Sequence, residues 1–141
     1  MAPAGGSDPS DEWHRLGVEA QMSNNPGLAQ QRYQHALRLD PRHVMATNNL
    51  AVVFANSPGF LGEGLLTIER ASLLDDKNHI VAVNRALMNL EAERIDEALE
   101  YALKAVALAP KGGEGNHARM ALCMILGTAG LASNAIPYYN E

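Results

Sequence analysis

The fold is decided by residues 13–41, which read WHRLGVEAQMSNNPGLAQQRYQHALRLDP. Large and small landmark residues recur within this segment, and a proline closes it: Trp13, Leu16, Gly17, Ala29, Tyr33, Ala36 and Pro41. The Asn24-Asn25-Pro26 break at its middle predicts two helices joined by a turn, because proline is tolerated in the first turn of a helix but not in its interior. The residue before a proline disfavours helical backbone, so Pro41 is expected to end the second helix.

The same landmarks recur along the chain at the spacing of a 34-residue repeat. Trp13 corresponds to Thr47, and Ala36 corresponds first to Ala71 and then to Ala105. The second copy contains one extra residue, which the turn at 56–59 accommodates. We therefore predict a flexible lead over 1–9, repeats over approximately 10–43, 44–78 and 79–112, and a partial fourth repeat over 116–141, with Ala135 and Tyr139 matching Ala29 and Tyr33 and Pro137 in a first turn.

Start and stop signals predict the individual helices. The first is expected to be capped by Ser10, and the fourth repeat to restart at Asn116 after the glycine-rich residues 111–115. Between them, the predicted helices run approximately over 26–39, 44–55, 60–74, 79–91 and 96–108.

Helices this short bury their apolar faces only by stacking on one another, and small residues are needed where they cross. Three sets of small residues recur at the repeat spacing: Gly17, Ala51 and Ala86; Ala29, Gly64 and Ala98; Ala36, Ala71 and Ala105. Arg85 and Asn89 occupy positions where the repeat expects large side chains. Either the helix is rotated so that Leu87 and Leu90 pack instead, or Arg85 extends to solvent along its aliphatic stem.

In the order and spacing of these landmarks, residues 13–41 resemble the tetratricopeptide repeat (TPR); they depart from it at Ala20, where the family prefers Tyr. The resemblance implies an all-α, TPR-type α-solenoid of stacked antiparallel helix pairs, with three repeats plus a partial fourth. It also implies that the first helix of each pair lines a concave groove that binds a protein or an extended peptide. The groove residues would be His14, Arg15, Val18, Met22, Asn48, Asn49, Val52, Asn56, Val83, Asn84, Leu87, Glu91, His117, Met120 and Met124.

Asn49 and Asn84 occupy the same repeat position, and carboxamides there could hold the main chain of a peptide. Alternatively, both are solvated or cap local backbone. Some TPR proteins instead grip a terminal carboxylate with lysines, but Asp11 and Ile80 stand at two of those positions, which disfavours that function.

Four further groove side chains have open alternatives. His14 and Arg15 could meet an acidic partner, or Arg15 could form a surface ion pair with Asp11 or Glu12. Met120 and Met124 lie one helical turn apart and suit an adaptable apolar contact, or they are core or cap residues.

Composition narrows the range of possible functions. Apolar residues make up 47% of the chain but aromatics only 5%, which favours Ala- and Leu-rich helices over sheets. The net charge of −5 and the lack of a basic run argue against nucleic acid, and no apolar stretch is long enough for a membrane span. The N-terminus resembles neither a signal nor a transit peptide, so we expect a cytoplasmic protein.

The sequence contains only weak signals for a catalytic or metal-binding site. The five histidines are scattered without metal-ligand spacing, residues 75–78 lack the glycine and glutamate of a calcium loop, and Cys123 is expected on a buried helix face. We predict no enzyme activity, no cofactor and no metal, and a scaffold or adaptor that binds a peptide or protein segment. The alternatives are the N-terminal targeting or oligomerisation region of a larger enzyme such as a transferase, favoured by the stop at Glu141 inside a predicted helix, and a homo-oligomer formed through the C-terminal repeat.

Overall fold

The computed structural model of the protein describes residues 8–130, and all regular structure in that range is helical. The chain runs through α1 (Pro9–Met22), α2 (Pro26–Leu39), α3 (Val44–Ala55), α4 (Leu61–Leu74), α5 (His79–Glu91), α6 (Ile95–Leu108), a 3₁₀ turn (Gly113–Gly115) and α7 (Asn116–Thr128). The all-α class and the repeated helix pairs are confirmed. The second half of the predicted partial repeat, with Ala135, Pro137 and Tyr139, lies outside the described residues, as do residues 1–7 of the lead predicted over 1–9. Pro9, the last residue of that lead, lies in α1.

Most predicted helix limits are confirmed, but the first cap is wrong. The N-cap of α1 is Asp8, whose carboxylate accepts hydrogen bonds from both the backbone N–H (2.9 Å) and the hydroxyl (2.7 Å) of Ser10. Pro9 occupies the first turn, where a missing N–H costs nothing, so the helix begins earlier than Ser10 would allow. The predicted break is confirmed at Asn25, which caps α2 by accepting from the Leu28 N–H.

The chain forms two compact units divided between Leu74 and Asp75. In the first unit α1 pairs with α2, α3 pairs with α4, and α2 packs on α3. Its core is built around the fully buried ring of Tyr33, with Leu50 and Val53 of α3 packed beside it. Gly17 is required at the α1–α2 crossing, because a Cβ there would lie 2.4 Å from the Tyr33 ring.

The second unit consists of the α5–α6 pair and α7, which packs on both. Its core combines small residues of α5 and α6 with large residues of α7, chiefly Leu122 and Ile125, and Cys123 is buried there as predicted. All nine small residues predicted at helix crossings in the two units are buried: Gly17, Ala29, Ala36, Ala51, Gly64, Ala71, Ala86, Ala98 and Ala105.

The two polar misfits of α5 are accommodated in different ways. The guanidinium carbon of Arg85 lies 4.0 Å from the ring centroid of Tyr101, a cation–π geometry that keeps its stem against the protein. Asn89 is buried and donates a 2.7 Å hydrogen bond to the carbonyl of Arg85. Leu87 and Leu90 also pack against core clusters of the second unit, which agrees with the packing expected of them, and the rotation of the helix stays a prediction.

The glycine-rich residues 111–115, which interrupt the repeat register before α7, form a connection that is held by hydrogen bonds. Gly112 has a φ of +84°, which favours glycine, and residues 113–115 form the 3₁₀ turn. The buried guanidinium of Arg119 donates hydrogen bonds to the carbonyl of Gly112 and to the side-chain oxygen of Asn116. This buried arginine, which the sequence pattern did not indicate, fixes the start of α7.

Candidate functional site

The predicted groove residues of the first unit lie on α1 and α3, and they are joined by hydrogen bonds. The side-chain nitrogen of Asn49 lies 2.8 Å from Nε2 of His14, which links α3 to α1. The side-chain nitrogen of Asn48 donates to Oδ1 of Asn49 at 3.0 Å. Asn48 is only 1% exposed, so its predicted place on the groove surface is wrong, since its side chain is buried behind the half-buried Asn49.

Arg15 does not project alone from this face. Its exposed guanidinium contacts Glu12 and also Glu19, the latter at 3.0 Å. The hydrogen bond from Arg15 holds the pKa of Glu12 below its ordinary value. The predicted surface ion pair is therefore present, with Glu19 as a second partner, and the positive charge of Arg15 is balanced within α1.

Asp11 instead pairs with His43, the residue that caps α3. Nε2 of His43 lies 2.7 Å from a carboxylate oxygen of Asp11, and its Nδ1 accepts a 3.0 Å hydrogen bond from the backbone N–H of Ala46. The rings of His43 and His14 have centroids 5.0 Å apart. Sequence reasoning missed His43; its position directly before a predicted helix, where a side-chain acceptor caps the backbone, was the available signal.

Two side chains in this cluster have shifted pKa values. Burial, together with the nearby imidazole of His43, lowers the pKa of His14 below its ordinary value, and Asp11 opposes the shift. Burial raises the pKa of the Tyr33 phenol to about 12, despite a hydrogen bond with Asn49 that acts in the opposite direction. The ring centroids of His14 and Tyr33 lie 5.9 Å apart. At neutral pH both groups are therefore uncharged, and this face depends on hydrogen bonds more than on charge.

The remaining groove residues of the first unit contribute less polar surface. Val18 is half-buried and packs against the core around Tyr33, and Val52 is half-buried on α3. Met22 is 83% exposed and Asn56 is exposed at the C-terminal ends of the same two helices.

The second unit contains a cavity of about 340 Å³ between α5 and α7. Its lining is mostly apolar, with Asn84, Glu114 and two histidines as the polar groups. The lining residues are His79, Ile80, Val83, Asn84, Leu87, Glu114, His117, Met120, Ala121 and Met124.

Around this cavity the structure brings together five predicted groove residues of the second unit: Val83, Asn84, Leu87, Met120 and Met124. Met120 and Met124 are 62% and 56% exposed, so the alternative that placed them in the core is wrong. His117 also lines the cavity, whereas Glu91 is exposed elsewhere on α5. Ile80 was missed as an apolar wall residue, although its spacing from Val83, Asn84 and Leu87 places all four on one helix face.

Metal binding and membrane crossing were both considered for the described part of the chain. Residues 8–130 include no group of three or more His, Cys, Asp or Glu side chains arranged to hold a metal ion. None of the helices in that range is long and apolar enough to cross a membrane.

Comparison with known proteins gives a clear result for structure. No family model matches the sequence, and no curated protein matches it. The Sgt2 TPR domain from Aspergillus fumigatus is similar with a TM-score of 0.79 at 21% identity, covering 95% of this chain and 85% of that one. The Arabidopsis OM64 TPR domain has a TM-score of 0.74 at 20% identity, covering 84% and 95% respectively.

A third similar structure carries a bound ligand. It is the first TPR domain of Spaghetti (RPAP3) bound to the HSP90 peptide SRMEEVD, with a TM-score of 0.76 at 15% identity, covering 86% of this chain and 95% of that one. Similarity at these identities establishes the fold. The resemblance seen in residues 13–41 is thus confirmed, and the chain has the fold of the tetratricopeptide-repeat domains.

Proposed function

We propose that this chain is a non-catalytic interaction module, a scaffold or adaptor, that binds an extended segment of a partner protein on the first helices of its repeats. The observation that carries the proposal is the apolar cavity of the second unit, which is lined by two exposed methionines and a carboxamide. The fold supports it, because one similar TPR domain is described with a bound peptide. A cytoplasmic location is part of the proposal.

The chemistry of the cavity indicates what kind of segment it would accept. Its volume of about 340 Å³ lies at the small end of the roughly 300–1,000 Å³ typical of ligand sites, which suits a few apolar side chains. Methionine is unbranched and polarisable, so Met120 and Met124 can adapt to side chains of different shapes. Among the described lining residues there is a glutamate, Glu114, but no lysine or arginine. An apolar segment therefore fits this cavity better than an acidic chain terminus does.

The two asparagines supply the polar part of the proposal. Asn84 lies in the wall of the cavity, and Asn49 lies half-buried on the α1–α3 face of the first unit. A carboxamide both donates and accepts, so it matches a peptide main chain without reading side-chain identity. We propose that each carboxamide contacts peptide main chain on the face of its own unit and that the apolar wall of the cavity selects the side chains.

The cavity is tested with peptides selected from a displayed random library and measured by fluorescence anisotropy. The variant Met120→Glu with Met124→Glu places two charges on the exposed apolar wall, and we expect its affinity to fall at least tenfold, or about 1.4 kcal/mol. Leu103→Glu is the matched control, because Leu103 is 45% exposed in the same unit and does not line the cavity. Equal affinities for the double variant and the control would exclude this cavity as the binding site.

The asparagines are tested with the same peptides in Asn49→Ala, in Asn84→Ala and in the double variant. If each carboxamide bonds to the backbone, the double variant should lose binding of peptides of unrelated sequence to a similar extent. Undiminished binding by the double variant would remove the asparagines from the proposal while leaving the apolar cavity to stand on its own test.

Self-association through the same methionine face is the competing use of this surface. Light scattering across a hundredfold range of protein concentration separates the two uses. A constant monomer mass supports binding of a separate partner, whereas a mass that rises with concentration and is restored to the monomer value by Met120→Glu with Met124→Glu assigns the face to a second copy of the chain.

A further inference from the structure

Asn49 is held from both ends by side chains of its own unit. Oδ1 of Asn49 accepts from the buried Asn48 at 3.0 Å, and Nδ2 of Asn49 lies 2.8 Å from Nε2 of His14. The bond from Asn48 thus fixes the oxygen of the carboxamide, and the contact with His14, together with the hydrogen bond to the Tyr33 hydroxyl, fixes its nitrogen. Together they give Asn49 one defined orientation on the α1–α3 face.

This orientation sets the protonation state of His14. An amide nitrogen only donates, so Nε2 of His14 must carry the lone pair, and the neutral ring has its proton on Nδ1. A protonated imidazole has N–H groups at both ring nitrogens, and two donors would then face each other. Asn49 could restore the bond only by turning over, and this would bring its nitrogen against the donating nitrogen of Asn48.

The groups that face His14 come from three directions. Asp11 lies one turn earlier on α1, the imidazole of His43 approaches from the residue that precedes α3, and the ring of Tyr33 approaches from α2. Only Asp11 favours a charged His14, and its carboxylate is engaged by His43 at 2.7 Å. The surroundings therefore support the neutral ring at neutral pH, in agreement with the lowered pKa of His14.

We propose that His14 is a positioning residue for Asn49: the neutral imidazole holds the carboxamide with its nitrogen toward α1, and protonation of the ring releases or turns it. The consequence for binding rests on the proposed contact between Asn49 and a peptide. Acidification would then change which atoms Asn49 offers to a main chain, and affinity at this face would depend on pH. The orientation itself requires no ligand.

The test is an NMR titration of the whole chain, without ligand, from pH 8 to pH 5. We expect the side-chain NH₂ signals of Asn49 to shift with the same midpoint as the ring nitrogens of His14, and this midpoint should lie below the ordinary value of 6.5. In His14→Gln, whose amide oxygen can accept without titrating, the Asn49 signals should keep their pH 8 positions throughout. His14→Phe, which has no acceptor, should lose those positions at every pH.

His35→Gln is the control, because the ring of His35 lies tilted against Trp13 in the same unit, with centroids 4.2 Å apart, and takes no part in this network. It should leave the titration of Asn49 unchanged. Asn49 signals that stay constant while His14 titrates would overturn the proposal. A shift that persists in His14→Gln would also overturn it, since His14 could not then be its source. If a variant fails to fold, the wild-type titration still decides, and loss of peptide binding in other experiments bears only on the proposed function.

Discussion

The packing of the first unit makes a sharp prediction at Gly17. An added Cβ would lie 2.4 Å from Cε1 and 2.5 Å from Cδ1 of Tyr33. Carbon atoms in contact sit roughly 3.5–4.0 Å apart, so the methyl group and the ring must separate by about 1 Å or more. Tyr33 is 0% exposed and donates from its hydroxyl to Gln21, so the ring has no free space into which to move. Gly17→Ala should therefore destabilise the unit.

The expected size follows from the two ways in which the clash can be relieved. Separating α1 from α2 overpacks the crossing, at a cost of about 1–3 kcal/mol. Turning the ring away instead costs about 0.5–1.5 kcal/mol for an unfavourable rotamer and a similar amount for the lost hydrogen bond to Gln21. Alanine has a helix propensity better than that of glycine by about 1 kcal/mol, which offsets part of either cost. Subtracting this offset from either cost leaves a net loss of up to about 2 kcal/mol.

Urea unfolding followed by circular dichroism measures this loss as a lower midpoint at constant slope. Gly62→Ala is the matched control, because Gly62 also lies in a helix of the first unit and a Cβ there meets nothing within 4 Å. Helix propensity alone predicts that the control is unchanged or more stable by up to about 1 kcal/mol. If Gly17→Ala were stabilised like the control, the α1–α2 crossing described here would be wrong.

Three further predictions concern stability. Because the pKa of His14 is lowered in the folded chain, its contribution to stability is fully present above the ordinary value of 6.5 and declines as pH falls from 6.5 toward the lowered pKa. The urea midpoint should therefore fall between pH 7.5 and pH 5.5, and His14→Gln should reduce this fall. Arg119→Met removes the charged hydrogen bond to the Gly112 carbonyl, so the free energy of unfolding measured by calorimetry should fall by about 1.5–3 kcal/mol. An unchanged transition would show that this hydrogen bond does not stabilise the connection before α7. Ala71→Leu overpacks a fully buried position and should cost about 1–3 kcal/mol in urea, whereas an unchanged midpoint would contradict the repeat register.

The helix limits were largely predictable because they depend on local chemistry. Pro26 and Pro41 act through their own backbone geometry, and Asn25 caps α2 by a side-chain bond to Leu28 three residues on, so these turns need no knowledge of distant residues. The predicted N-cap of α1 was wrong for a different local reason: Asp8 and Ser10 are both good caps, and only the proline between them favours the earlier start of the helix.

The site was predictable only in part, because burial and hydrogen bonding depend on partners distant in sequence. Asn48 and Asn49 are adjacent on α3, about 100° apart around the helix, and a small rotation decides which one reaches the surface. His43 contacts Asp11, which lies 32 positions earlier in the chain. The exposure of Met120 depends on how the preceding glycine-rich connection places α7 against α5, and the repeat pattern carries no information on that irregular segment.

The central claim is that the α5–α7 cavity of the second unit binds an extended apolar segment. Its most direct test is an NMR chemical-shift map of the isotope-labelled chain titrated with one library-selected peptide. We expect shifts concentrated on the cavity wall, at Val83, Leu87, Met120 and Met124, with little change around Leu103 of α6. Shifts centred on Leu103, with the cavity wall unmoved, would contradict it.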